Sequence, residues 1–255
     1  MSDPALTITR KIGVTGSVYG IFLWIVFVLA VFAAILFTIF VPGLERRRRW
    51  VTAAARSVFR CGGIGVSVHG LEQLPSGHCV VVANHASYID GVILQAFLPP
   101  RFSYVIKGEM RNIPIVHFLL RRIGAKFVER FVTSGSARDA RVLLKAASAG
   151  ESLAFFPEGT FIEQPGLGRF RNGAFVAAIK GGIPIVPVVI RGSRYILPAR
   201  HVLPCRGPLA LDVLAPILPV DSDYSSPAKL AEAARQRILG VLDEPDLIVA
   251  NGPQM

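Results

Sequence analysis

Asn84-His85 ends an apolar run, Cys79-Val80-Val81-Val82-Ala83, and Asp90 follows five residues after the imidazole. A histidine can take a proton from a hydroxyl near neutral pH. A carboxylate within reach can hold it in one tautomer and stabilise its protonated form. The same stretch fits a plainer purpose. Ser87-Tyr88-Ile89-Asp90 has the form of a capping box, with Ser87 as N-cap of the helical pattern Ser87–Phe97. The two purposes are compatible, because a carboxylate in a first helical turn can cap and still hold an imidazole.

The elements that must position these groups alternate along the chain. Apolar, β-branched runs occur at Ile64–Val68, Cys79–Ala83, Ser103–Ile106, Ala125–Glu129, Leu153–Phe156, Ile185–Ile190 and Leu209–Leu214. Helical patterns cover Ser87–Phe97, Asn112–Ile123, Ser136–Ala149, Gly173–Gly181 and Pro227–Leu242. This alternation predicts an α/β fold with a mostly parallel central sheet flanked by helices, some late strands pairing antiparallel. Sites in such sheets collect beyond the carboxyl ends of the strands. Four ends carry polar groups that packing does not require: Asn84-His85, Lys107-Gly108-Glu109, Arg130 and Pro157-Glu158-Gly159-Thr160. Each alone has an ordinary explanation as a surface charge or a turn. At successive strand ends they mark a candidate site.

A second signal precedes the sheet. Ile21–Val41 is 21 residues without a charge. As a helix it would measure roughly 31 Å, against about 30 Å of bilayer hydrocarbon. It exceeds the apolar core of a secretory signal, and Pro42-Gly43-Leu44-Glu45-Arg46 is not a small-residue cleavage site. The run predicts a membrane anchor, either a full span or a re-entrant hairpin. Arg10 and Lys11 precede it, whereas Arg46, Arg47, Arg48, Arg49, Arg56 and Arg60 follow it. That bias predicts a cytoplasmic location for the following domain, at a cell inner membrane. Trp50, Ala54 and Val58 share a helical face with Val51, Ala55 and Phe59 beside it, so residues 45–60 read as a basic interfacial helix.

Composition bounds the remainder. The 255 residues carry a net charge of +11 and a mean hydropathy of +0.50. Basic and apolar together fit an anionic membrane surface and argue against a nucleic-acid partner. Cys61, Cys79 and Cys205 are scattered and odd in number, which suggests neither a disulfide frame nor a metal site. The boundaries read as an N-terminal tail over 1–16, an anchor over 17–44, the connector over 45–60, the main domain over 61–242 and a loose tail over 243–255.

These residues carry a family resemblance across about residues 60–215. The chain resembles the PlsC-type glycerolipid acyltransferases, the 1-acylglycerol-3-phosphate acyltransferases and their relatives. Asn84-His85-Ala86-Ser87-Tyr88-Ile89-Asp90 matches the family's NHxxxxD block. Lys107-Gly108-Glu109, Pro114, Gly124 and Phe127-Val128-Glu129-Arg130 match its second block. Phe156-Pro157-Glu158-Gly159-Thr160 matches FPEGT, and Ile183-Pro184-Ile185-Val186-Pro187-Val188 the last block. All four in order form a specific signal, whereas HxxxxD alone would be weak.

The resemblance implies transfer of a fatty acyl group from acyl-CoA or acyl-carrier protein to a hydroxyl, with no other cofactor. The partners it implies are membrane lipids, the acyl donor and a lysophospholipid acceptor, lysophosphatidate first among them. His85 would be the general base and Asp90 its orienting partner. There is no GxSxG elbow, and Cys79 lies within a strand, so transfer would be direct. Lys107 and Arg130 would hold a phosphate. Backbone N–H groups at Gly159 and Thr160 are candidates for anion or oxyanion binding. Glu158, an acid beside a phosphate site, would bind a substrate hydroxyl or buttress Arg130.

The sequence departs from the family at two points. Phe161 stands where many members have an arginine read as a phosphate contact, with Arg169 and Arg171 downstream as substitutes. His117 replaces a common glycine and reads as a packing or interfacial helix residue rather than a catalytic one. Phe161 keeps other acceptors open, such as a lyso-ornithine lipid. A non-enzymatic lipid-binding protein would have no need of His85, Asp90 and the FPEGT turn together. A hydrolase using the same pair would release fatty acid without any acceptor.

Overall fold

The β-branched runs assemble into one sheet. A computed structural model of the chain describes residues 13–128, 143–146 and 148–250. The strands are β1 Val66–His69, β2 Val80–Ala83, β3 Phe102–Lys107, β4 Lys126–Val128, β5 Ser152–Phe155, β6 Ile185–Arg191 and β7 Leu209–Val213. Their order across the sheet is β1-β7-β6-β2-β5-β3-β4. β6, β2, β5, β3 and β4 pair parallel. β7 runs antiparallel to β6 and parallel to β1. All seven expected runs are therefore strands, and the antiparallel pairing falls late in the chain.

The helices include α1 Val14–Phe40, α2 Leu44–Cys61, α3 Asp90–Phe97, α4 Pro114–Arg122, α5 Gly173–Gly181, α6 Ser193–Ile196 and α7 Pro227–Leu239, with a short helical turn at Leu247–Ala250. Most of the 136–149 helical pattern lies outside the described residues, as do Glu129 and Arg130. β2 and β5 are buried along their whole lengths, as expected of parallel strands covered on both faces. Val80, Val82, Leu153 and Phe155 face the layer that holds α5 and α7. Cys79, Val81, Ala83 and Ala154 face the layer that holds α2 and α3. This strict alternation fixes the register, because a one-residue slip would exchange the two layers.

α1 and α2 form an antiparallel hairpin over α3. The Tyr19 hydroxyl, near the start of α1, donates to the Gly62 carbonyl just past the end of α2, 2.8 Å away. Trp24 Nε1 donates to the Val202 carbonyl at 2.7 Å. Gly20 permits this approach, since a Cβ there would lie 2.9 Å from Leu203 Cβ. At the other end Arg122 of α4 donates to the Thr38 carbonyl at 2.8 Å, and Arg47 to that of Val41 at 2.8 Å. Both guanidinium groups meet the negative end of the α1 dipole. Both ends of α1 thus dock on the same folded domain, about 28 Å apart along the helix.

The connector differs from its expected interfacial role. The face of α2 with Val51, Ala55, Val58 and Phe59 is buried within the protein. Trp50 stacks on Phe37 of α1, with ring centroids 4.1 Å apart and planes 6° from parallel. Arg48 is also buried, and it donates to the carbonyls of Ile123 and Arg101 and to Ser103 Oγ at 2.6–2.9 Å. Burial lowers its pKa. One of the four consecutive arginines is therefore a structural pin. The apolar exposure falls instead on α1, where Ile25, Val28, Leu29 and Phe32 are each more than half exposed.

Candidate active site

The strand order makes β2 and β5 neighbours, with β3 next to β5. Adjacent strands lie about 4.8 Å apart, so the end of β3 is roughly 10 Å from the end of β2. Asn84 continues the sheet where β2 stops. Its Nδ2 donates to the Ile190 carbonyl at 2.9 Å, and its Oδ1 accepts from Ile190 N at 2.7 Å. This side chain replaces a rung of the β2–β6 ladder and lets the next residue turn out of the sheet.

His85 turns out there. Its Nδ1 is 2.9 Å from Asp90 Oδ2. The same oxygen accepts from Ala86 N at 2.7 Å and Ser87 N at 2.8 Å. An oxygen that accepts two backbone N–H groups behaves as a carboxylate acceptor, so Nδ1 is the donor and Nε2 carries the lone pair. The Asp90 side chain is fully buried and that of His85 is 18% exposed. Asp90 Oδ1 is buried without a hydrogen-bond partner among the described residues. Asp90 is also the first residue of α3, where the helix dipole favours a negative charge. The expected capping box is half formed. Asp90 reaches back to Ser87 N, but the Ser87 hydroxyl donates to the Leu197 carbonyl at 2.7 Å.

Aromatic rings enclose the imidazole. Phe156 stacks on it at 4.3 Å and 18°, and Phe161 meets it edge-on at 4.8 Å and 66°. Tyr88 lies edge-on to Phe161 at 4.7 Å. Phe161, the departure from the family pattern, is thus part of the wall around His85. Arg169 and Arg171 are exposed on the loop that follows.

Glu158 makes two main-chain contacts that the sequence did not suggest. Its Oε1 accepts from His85 N at 2.7 Å and its Oε2 from Gly168 N at 2.9 Å. It ties the histidine turn to the loop after β5. Burial raises its pKa, opposed by those two N–H groups. The turn at Gly159 has φ +86°, which favours glycine. Its N–H donates to the Phe156 carbonyl at 3.0 Å, so it is not available for an oxyanion. Thr160 is exposed. Lys107 ends β3, opposite Val128 of β4, on the same edge of the site. Arg130 lies outside the described residues. Cys79 is buried, and burial pushes its thiol up to about 11, which leaves it unreactive. His117 packs edge-on against Phe127.

A clasp behind this loop was not foreseen. The segment expected to be a loose tail runs back along residues 166–168. Leu167 N donates to the Pro245 carbonyl at 2.9 Å, and Gly166 N to Glu244 Oε2 at 2.7 Å. Arg235, 2% exposed, donates to the Gly168 carbonyl at 2.9 Å and pairs with both oxygens of Asp246. Arg194 pairs with Glu244 at 3.1 Å and donates to the Ile162 carbonyl at 2.8 Å. The sequence held one signal for this. Arg235 falls on the apolar stripe of α7, among Ala231, Ala234 and Ile238. Arg235→Met should lower stability by about 3 kcal/mol, because it removes the buried charged partner of Asp246 and the side-chain donor to the Gly168 carbonyl. A melting shift of roughly 6–12 °C would register it; an unchanged melt would mean that the clasp adds nothing. The Arg235 guanidinium also holds Asp246 below the usual carboxylate range. Its contribution is present above the unfolded carboxylate value and is lost as pH falls through the lowered one.

A buried carboxylate, an oriented imidazole and a FPEGT turn on a mostly parallel sheet define a class. The family model described as Acyltransferase matches residues 65–191, and the chain belongs to that family. The crystal structure of the 1-acyl-sn-glycerophosphate acyltransferase PlsC from Thermotoga maritima is similar, with a TM-score of 0.71 and 25% identity, over 89% of this chain and 93% of that one. A chloroplast 1-acyl-sn-glycerol-3-phosphate acyltransferase of Brassica napus is 32% identical over 51% of this chain and 38% of its own length. A 1-acyl-sn-glycerol-3-phosphate acyltransferase of Saccharomyces cerevisiae is 27% identical over 84% of this chain and 72% of its own. The chain thus spans well under half of the plant relative it matches.

Proposed function

We propose that the protein is a membrane-bound acyltransferase that moves a fatty acyl group from acyl-CoA or acyl-carrier protein to the hydroxyl of a lysophospholipid. The leading acceptor is 1-acylglycerol 3-phosphate, which would give phosphatidic acid. One observation carries this reading: His85 Nδ1 is held at 2.9 Å by a buried carboxylate, which leaves Nε2 for substrate. Nε2 takes the proton as the acceptor oxygen attacks the thioester carbonyl. The carbon–oxygen bond forms, the tetrahedral intermediate collapses, and the carbon–sulfur bond breaks. The imidazolium then returns the proton to the departing thiolate. Asp90 balances the charge on the ring throughout. Thr160 N–H is the remaining candidate at its turn for the oxyanion, and Lys107 with Arg130 for the acceptor phosphate.

α1 supports a membrane location, and its docking at both ends supports a helix lying in one leaflet rather than crossing it. A chain that does not cross keeps its domain on the side of synthesis, the cytoplasmic face. Phe156, on which His85 stacks, packs against the layer that α2 and α3 complete. The base is therefore on the face of the sheet that carries the hairpin, where acyl chains can remain in apolar surroundings.

A second reading keeps the chemistry and changes the acceptor. Phe161 against His85 and Tyr88 favours a lyso-lipid without a phosphomonoester, such as a lyso-ornithine lipid. One panel tests both. Proteoliposomes receive labelled acyl-CoA or acyl-carrier protein with lysophosphatidate, other lysophospholipids and lyso-ornithine lipid. Phosphatidate as main product supports the first reading, and acylation of the amine-bearing lipid alone selects the second. Binding without any acylated product would leave a lipid-binding protein, and free fatty acid without acceptor a hydrolase.

A further inference from the structure

α4 is the crossover between β3 and β4, and none of its residues is fully buried. Ile115 is 62% exposed, Phe118 39%, and Ile113, just before the helix, 45%. Ile115 and Phe118 stand three residues apart and so share a helical face, which Leu119 and Arg122 extend. Leu119, Leu120 and Ile123 pack with Ala34 of α1 and Val51 of α2. Arg122 donates to the carbonyls of Thr38 and Ile39 at the end of α1. The exposed apolar face of α4 therefore continues the exposed apolar side of α1, where Leu36 is 40% and Phe40 78% exposed. Arg121 is exposed on the same helix. A lipid leaflet is the occupant that fits. The surface is continuous with an apolar helix of 27 residues, and a guanidinium beside it can meet lipid phosphates.

The connection to the site is short. Lys107 ends β3, the 3-10 turn Gly108–Asn112 follows, and α4 begins at Pro114. Whatever holds the start of α4 also holds the β3 end of the site. We propose that α4 is a second membrane foot: Ile113, Ile115 and Phe118 enter the leaflet beside α1 and fix the tilt of the domain, which turns the Lys107 edge of the site toward the lipid headgroups. This rests on the reading of α1 as a helix lying in the leaflet.

Depth measurement on the full chain tests it. Cys61 is exposed and the other two cysteines are buried, so Cys61→Ser gives a background for single labels. An environment-sensitive fluorophore is attached at Ile115→Cys, Phe118→Cys, Phe32→Cys on α1, or Val220→Cys, a position 88% exposed in a distant loop. Vesicles of phosphatidylcholine and phosphatidylglycerol carry spin-labelled lipid. The expected result is quenching at 115 and 118 as at 32, and none at 220. Quenching at 32 alone overturns the foot and leaves the α1 reading standing; quenching nowhere defeats both. A label at 115 shielded without vesicles would put a second protein on this face and overturn the proposal. A double variant, Ile115→Ser with Phe118→Ser, gives an independent arm. Its KM for acceptor in vesicles should rise roughly tenfold or more, with activity on a short-chain soluble acceptor unchanged. Equal loss on both acceptors would assign these residues to folding instead.

Discussion

His85→Ala is expected to lower acyl transfer roughly 10²–10⁴-fold while the fold and vesicle binding persist. The alcohol of a lysolipid attacks poorly unless its proton leaves as the new bond forms, and Nε2 is the basic atom at the end of β2. The substitution leaves the local backbone tied, because Glu158 accepts from the His85 main-chain N–H, not from the ring. It opens a gap between Phe156 and Phe161, the two rings that touch the imidazole. Added imidazole should enter that gap and restore part of the rate, with acceptor KM little changed. Full activity in the variant would remove His85 as the base. Loss with no rescue, together with a lowered melting temperature, would make it a packing residue.

Asp90→Asn should cost on the order of 10³-fold, comparable with the loss of about 10⁴ when a serine-protease triad loses its carboxylate. Two effects combine. The amide carries no charge to balance the imidazolium. It also has one acceptor oxygen, where Asp90 Oδ2 serves His85 Nδ1 and the N–H groups of Ala86 and Ser87. If that oxygen keeps its place, the turn survives and the loss is confined to the rate. Asp90→Ala removes the acceptor altogether and leaves two buried N–H groups unpaired, at about 1–3 kcal/mol each. The pair of variants therefore separates chemistry from capping. Asn should melt near wild type with a low rate, and Ala should lose both. Wild-type rate in Asp90→Asn would reduce the carboxylate to a cap.

Much of the architecture follows from local rules. Val80-Val81-Val82 and Ile185–Ile190 can be little but buried strands, and alternation with helical patterns forces a layered α/β arrangement. His85 and Asp90 were legible because both belong to one turn, where sequence spacing fixes spatial spacing. Ile21–Val41 announced a long apolar helix through its length and lack of charge. Other roles depended on partners far along the chain. Glu158 is separated from His85 by 73 residues and Arg235 from Gly168 by 67, and no local pattern encodes such distances. For that reason the tie from Glu158 to the histidine turn was not legible, the segment from Asp243 read as a loose tail, and Arg48 read only as part of the arginine run that sets orientation. The two-ended docking of α1 likewise needed the tertiary structure. A hydrophobic run specifies how much apolar surface must leave water, but not whether that surface crosses the bilayer or lies along it. Hydrogen bonds at Tyr19, Trp24 and Thr38, each to a residue distant in sequence, tie both ends of α1 to the folded domain.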